Sequence, residues 1–257
     1  MDSLSLQSAL DFALDAAWQA GRISLGYFQT GVAVERKSDD SPVTRADREA
    51  EQKIRELIER HWSGHGIHGE EFGRQPGTNG FTWIVDPIDG TKSFISGVPL
   101  YACLIALVQD GMPLVGVAHF PALNETVYAM RGGGCFWNGR RAQVSTVDTL
   151  ENAVALNSEI SQKDENKQAA WLRLCAATTF QRTWGDAYGY ALVASGRAEI
   201  MLDAVMNVWD CAPFGVILPE AGGTFTDWRG MTTIDGGESL ATNGALLDAA
   251  LAILNPT

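Results

Sequence analysis

Apolar residues Leu6, Leu10, Leu14, Ala17, Trp18, Gly21, Leu25 and Phe28 recur at helical spacing. This pattern predicts a long amphipathic helix at the start of the chain. A polar, turn-rich stretch, ERKSDDSPVT, follows. Ala46, Ala50, Ile54, Leu57 and Ile58 then mark one face of a second helix from about Arg45 to His61. The pattern changes at GFTWIVD, a short continuous apolar run of the kind a buried strand shows. LYACLIALVQDGMPLVGVAHFP reads as two strands around a turn at Asp110 and Gly111. ETVYAMRGGGCFWNGRR predicts a further strand pair with a glycine-rich bend. Beyond about Thr146, NAVALNS predicts a strand, KDENKQAAWLRLCAAT a helix, GDAYGYALVASG a helix stopped by Gly196, and RAEIMLD a short strand. WDCAPFGVILPEAGG predicts a helix that begins at Asp210 and ends at Gly222 and Gly223.

Helices and strands alternate irregularly and several strands are hairpin-connected, which favours a layered α+β fold over a doubly wound parallel sheet. A change of character near residues 143–150 divides the chain into an N-terminal part, 1–145, and a C-terminal part, 146–257. The net charge of −12 argues against nucleic acid or an anionic membrane as partner, since both reward clustered Lys and Arg. It leaves an anionic small substrate open, because a local cation can reverse the field within one cleft. Cys103, Cys135, Cys175 and Cys211 are dispersed with no CxxC pair, which suits reduced thiols better than disulfides or a zinc site. Neither a leader-like N-terminus nor an apolar run of membrane-spanning length is present, so a soluble cytoplasmic protein is expected.

The chemistry concentrates in WIVDPIDGTKSF, where Asp86 and Asp89 stand three positions apart. Pro87 cannot donate to a ladder, so the strand is expected to end near Asp86. Asp86, Asp89 and the Ile88 carbonyl would then lie on a tight turn entering a helix at about Gly90 or Thr91. A free helix start there favours a phosphate. Taken alone, the segment could equally be an aspartate-rich surface turn. GIHGEEFG adds Glu70 and Glu71, which could be solvated, and WDCAPFG adds Asp210, which could be an N-cap. Acidic groups that converge without matching Lys or Arg repel one another unless hard cations fill the space, and all-oxygen ligands of this kind point to Mg²⁺.

GEE, DPIDGTKSF and WDCAPFGVILPEAGG, in this order, resemble the signature of the inositol monophosphatase superfamily of Mg²⁺-dependent phosphatases. SPVTRAD and RTWGDAYGYALVASGRAEIMLD fit the same pattern, so the resemblance spans nearly the whole chain. It implies an α+β, layered αβαβα sandwich of the inositol monophosphatase and sugar phosphatase type, with two or three Mg²⁺ per site. Glu70, Asp86 and the Ile88 carbonyl would hold a first metal, and Asp86, Asp89 and Asp210 a second. Asp47 and Thr91 would orient the attacking water, with Glu70 in the same catalytic set, and the Gly90 and Thr91 amides would hold the phosphate. Asp47 also fits a capping box with Thr44, which would make it a helix cap alone. Substrate contacts are expected at Asp89, Gly90, Thr91, Arg182, Asp186 and Asp210. A homodimer is implied by analogy.

Lys92, Ser93 and Phe94 after DGT, with RTWGDAYGY, most resemble the branch that hydrolyses L-histidinol phosphate in histidine biosynthesis. Inositol phosphate, another small polyol phosphate and a 3′-phosphonucleotide are the alternatives. Outside catalysis, the alternative is a regulatory binding protein on the same scaffold.

Overall fold

A computed structural model describes residues 5–159 and 164–256. Helix α1 (Leu6–Tyr27) starts where the Ser5 hydroxyl accepts the Ser8 amide, and its small buried face of Ala9, Ala13, Ala16, Ala17 and Ala20 allows close packing. Helix α2 (Arg45–His61) packs beside it and shares its core. The remaining helices are α3 (Thr91–Ile95), α4 (Glu165–Ala177), α5 (Ala187–Ala194), α6 (Val208–Cys211), α7 (Phe214–Glu220) and α8 (Leu247–Leu254). The expected start of α4 at Lys163 lies outside the described residues; Asp164 is its N-cap.

Two sheets carry the strands, besides a short hairpin of Val34–Arg36 with Pro42–Thr44. The first sheet has eight strands, in the order Arg140–Arg141, Gly134–Trp137, Glu125–Met130, Met112–Phe120, Ala102–Gln109, Phe81–Asp89, Gly66–Gly69 and Gly73–Gln75. Only the Gly66–Gly69 and Phe81–Asp89 pair within it runs parallel. The second has five, in the order Phe180–Arg182, Val154–Asn157, Ile200–Asp203, Ser239–Thr242 and Thr224–Thr226.

Alternation along the strands sorts side chains into layers. Trp83, Val85, Ile105 and Val117 face α1 and α2, whereas Leu104, Phe120 and Val127 face the other way. That second face packs on α5 and α7, which also cover Leu156, Met201 and Ala241 of the second sheet. Ala155, Ile200, Leu202 and Leu240 point outward onto α4 and α8. The order is therefore α, β, α, β, α, as the resemblance implies. Among the described residues, no helix is long and apolar enough to cross a membrane.

Two local expectations need correction. The strand does not end at Asp86 but continues to Asp89, because Asp86 pairs with Leu104 and Asp89 with Ala102 across a register shift. Pro87 and Ile88 on one strand face the single Cys103 on the other, so Pro87 sits in a bulge, where a missing amide costs no regular ladder bond. Nor does a helix begin at Asp210. Asn207 caps α6, Asp210 is its third residue, and Pro213 separates α6 from α7. Without an amide, Pro213 interrupts the helical ladder.

Candidate active site

The bulge aims Asp86 and Asp89 to one side of the strand end, and the Asp86 carboxylate accepts the Ile88 amide at 3.0 Å. Gly90 follows with φ 80°, in the left-handed region, and caps α3. A Cβ at this position would also come within 2.8 Å of Asp186 Oδ2 and 3.1 Å of the Leu100 carbonyl, so glycine is required twice over. Asp210 arrives from α6, its Oδ2 accepting the Asn207 amide at 2.8 Å. Asp86, Asp89 and Asp210 each offer a carboxylate oxygen within 4.8 Å of the others.

Asp86 is buried, while Asp89 and Asp210 are half-buried. Burial pushes the Asp86 carboxyl well above its ordinary value, and the charges of Glu70, Asp89 and Asp210 push it further. Burial and the charges of Asp186 and Asp210 do the same to Asp89, and burial raises Asp210 to about 6. Among the described residues, none of the three carboxylates forms an ion pair with Lys, Arg or His. Three mutually repelling carboxylates with no protein counter-charge fit a hard divalent cation bound through oxygen.

Glu70 acts on this cluster through its charge but, contrary to the expected absence of matching Lys or Arg, has a basic partner of its own. Lys37 Nζ lies 2.7 Å from Glu70 Oε1 and 2.6 Å from Glu71 Oε1. Burial works against the Lys37 ammonium, yet its bonds to the two glutamates outweigh it and hold its pKa above the ordinary value. Glu71 is raised to about 7, by burial first. Lys37 was hidden in ERKSDDSPVT, where it read as one more turn residue.

Asp47 forms the expected cap and also lies beside Thr91. Its Oδ2 accepts the Thr44 amide at 2.8 Å and the Thr44 hydroxyl at 2.6 Å, completing the helix cap. Its Oδ1 faces Thr91, whose hydroxyl lies 3.4 Å away and donates to the Ile88 carbonyl at 3.0 Å. Burial raises the Asp47 carboxyl above its ordinary value.

Across the cleft, the Asp186–Ala187 segment meets the cluster from the second sheet. The Ala187 amide donates to Asp89 Oδ2 at 2.6 Å, and the Asp186 amide donates to Ser158 Oγ at 2.6 Å. Ser158 Oγ in turn donates to Asp203 at 3.0 Å, and the Tyr190 hydroxyl donates to the same carboxylate at 2.8 Å. Burial raises Asp203 to about 7. Asp89, Asp186, Asp203 and Asp210 line a cavity of about 930 Å³, which adjoins a second of about 390 Å³ over Glu70, Gly90 and Thr91. Ser158 and Asp203 went unnoticed in the sequence because each stands at the end of a short strand, where polar residues are ordinary, and Tyr190 because it lies within an apolar helix that reads as core.

Arg182 does not join this group. It is exposed, lies over the rings of Phe180 and Trp184, and donates to the Gln181 carbonyl at 2.7 Å. Neither cavity is lined by it, because the edge strand Phe180–Arg182 carries it outward before the chain turns back at Gly185. Of the two expected substrate contacts from this segment, Asp186 lies in the cleft, whereas Arg182 lies on the surface beside it.

Residues 5–255 match the inositol monophosphatase family. The histidinol-phosphatase of Chlorobaculum parvum is 45% identical over 237 residues, which cover 91% of each chain. The histidinol-phosphatase of Mycobacterium tuberculosis is 38% identical over 260 residues, covering 99% of this chain and 98% of its own. Among solved structures, the extragenic suppressor protein suhB from Bartonella henselae superposes with a TM-score of 0.91 at 29% identity, covering 97% of this chain and 99% of that one. The chain belongs to the inositol monophosphatase family and is a phosphatase of that family.

Proposed function

We propose that this phosphatase hydrolyses L-histidinol phosphate to L-histidinol and phosphate, with Mg²⁺ as its cofactor. One observation carries the metal reading: Asp86, Asp89 and Asp210 converge within 4.8 Å with no basic partner among the described residues. Glu70, Asp86, the Ile88 carbonyl, Asp89 and Asp210 are the proposed ligands of two or three ions. When bound, such ions supply positive charge to the phosphate ester and its leaving oxygen and make a nearby water more acidic. Thr91 and Asp47 then orient that water, the threonine hydroxyl already being held by the Ile88 carbonyl and the carboxylate by Thr44. Glu70 borders the same space, with Lys37 balancing its charge. The Gly90 and Thr91 amides are the proposed phosphate donors, on a backbone that glycine leaves open.

Support for the substrate comes from the two histidinol-phosphatases and from the far wall of the cleft. Asp186 and Asp203 line it without an ion-pair partner among the described residues, whereas Glu159 there is paired with Lys92 at 2.6 Å; the two aspartates suit an amine or imidazole better than a neutral polyol. Asp186, facing Gly90, is the proposed contact to that cationic part. A homodimer is the assembly proposed from the family resemblance.

Asp86→Asn tests the reading. It removes one of the crowded charges, so the metal-free variant is expected to melt no lower than the wild type. Phosphate release from L-histidinol phosphate is expected to fall about 100-fold or more, the scale of losing one preorganised electrostatic group. A folded variant that retains Mg²⁺-dependent turnover at the wild-type rate contradicts it.

A further inference from the structure

Helix α2 carries three charged residues in line, Asp47, Glu51 and Arg55, each four positions from the next, and all three are buried. Asp47 already faces Thr91. Glu51 is fully enclosed and lines neither cavity of the site. Its Oε1 accepts Arg55 Nε at 2.7 Å and the Phe72 amide at 3.2 Å, and its Oε2 accepts the Glu71 amide at 2.7 Å. Arg55 Nη2 continues to the Gly73 carbonyl at 2.5 Å. A buried carboxylate persists only where donors satisfy it. Here two of the three donors belong to the turn that carries Glu70.

The consequence for Glu70 is direct. Its own amide donates to the Val85 carbonyl at 3.2 Å, and the next amide in the chain is held by Glu51. The backbone of Glu70 is thus fixed on one side to the strand Phe81–Asp89, which carries Asp86, and on the other to the helix that carries Asp47. Gly69 completes the arrangement, because a Cβ there would run into the Glu51 carboxylate.

We propose that Glu51, with Arg55, is a positioning residue that sets Glu70 against Asp86 for cation binding, acting through the backbone of the Glu71–Gly73 turn. The inference rests on the metal role proposed for Glu70. Glutamine at position 51 keeps one accepting oxygen but turns an amide donor toward donors.

Calorimetric titration of Mg²⁺ into the metal-free full chain tests this as a cycle of wild type, Glu51→Gln, Glu70→Gln and the double variant. Glu51→Gln is expected to weaken Mg²⁺ binding about 10–100-fold, as loss of an outer partner of a metal ligand does. In the Glu70→Gln background the same change is expected to have no further effect, with circular dichroism and melting confirming the fold. An equal weakening in both backgrounds, or none in either, overturns the inference while leaving the metal reading intact. A wild-type chain that binds no Mg²⁺ overturns both. If Glu51→Gln does not fold, Arg55→Lys, which loses the fork to Gly73, passes through the same cycle under the same criterion.

Discussion

Asp186 holds φ 52° and ψ −154°, a region that costs a non-glycine residue on the order of 1–3 kcal/mol. The bond from its own amide to Ser158 and that from the Ala187 amide to Asp89 keep it there, with its side chain over Gly90. Asp186→Gly relieves the strain, offset in part by the larger entropy of glycine in the unfolded chain. A net gain on the order of 1 kcal/mol is expected from denaturant melts. The variant should also lose kcat/KM on amine-bearing phosphate esters more than on neutral ones. A destabilised variant, or one that loses activity on both classes equally, contradicts the role assigned to Asp186. The neighbouring Arg182, expected as a substrate contact from the family resemblance, ends an edge strand with its side chain on the surface, a placement that no local pattern discloses. Lys37 shows the converse, since no local pattern pairs it with glutamates more than thirty positions away.

The elements carrying the site were legible wherever a hydrophobic period was long. Helices α1 and α2 and the hairpin around Asp110 and Gly111 lie where the pattern places them. What escaped was the fine structure at their ends. Pro87 suggested a stop, yet the strand absorbs it in a bulge and pairs again at Asp89, which is why two aspartates three apart can face one point. Pro213 likewise splits what the apolar run presented as one helix, leaving Asp210 on a one-turn element capped by Asn207. The row of Asp47, Glu51 and Arg55 on α2 was visible in principle as charge at helical spacing. Such rows usually read as a solvated face with i,i+4 pairs. Its burial depends on the 69–73 turn, which is set by tertiary pairing with the strand Phe81–Asp89.

At the scale of the molecule, the fold brings together carboxylates from three separate segments, and the cost of doing so is pH-dependent. Asp203 at about 7, Asp210 at about 6, and Asp86 and Asp89 well above the ordinary value all bind protons more tightly folded than unfolded. Their contribution is fully favourable below the unfolded pKa and is lost as pH rises through the folded one. The metal-free protein is therefore expected to lose stability between about pH 4 and pH 7. Urea melts in chelator should show a lower midpoint at about pH 7.5 than at about pH 5. Mg²⁺ should raise the midpoint mainly at the higher pH, because it binds the ionised, folded form. A chelated protein that grows more stable across this window, or one indifferent to Mg²⁺ at the higher pH, contradicts the assignment of these groups. The most direct measurement is phosphate release by the wild-type enzyme, with Mg²⁺ and with chelator, from L-histidinol phosphate, inositol-1-phosphate and a 3′-phosphonucleotide side by side. Expected is Mg²⁺-dependent turnover with kcat/KM highest for L-histidinol phosphate; inert L-histidinol phosphate beside rapid inositol-1-phosphate hydrolysis, or turnover undiminished in chelator, contradicts it.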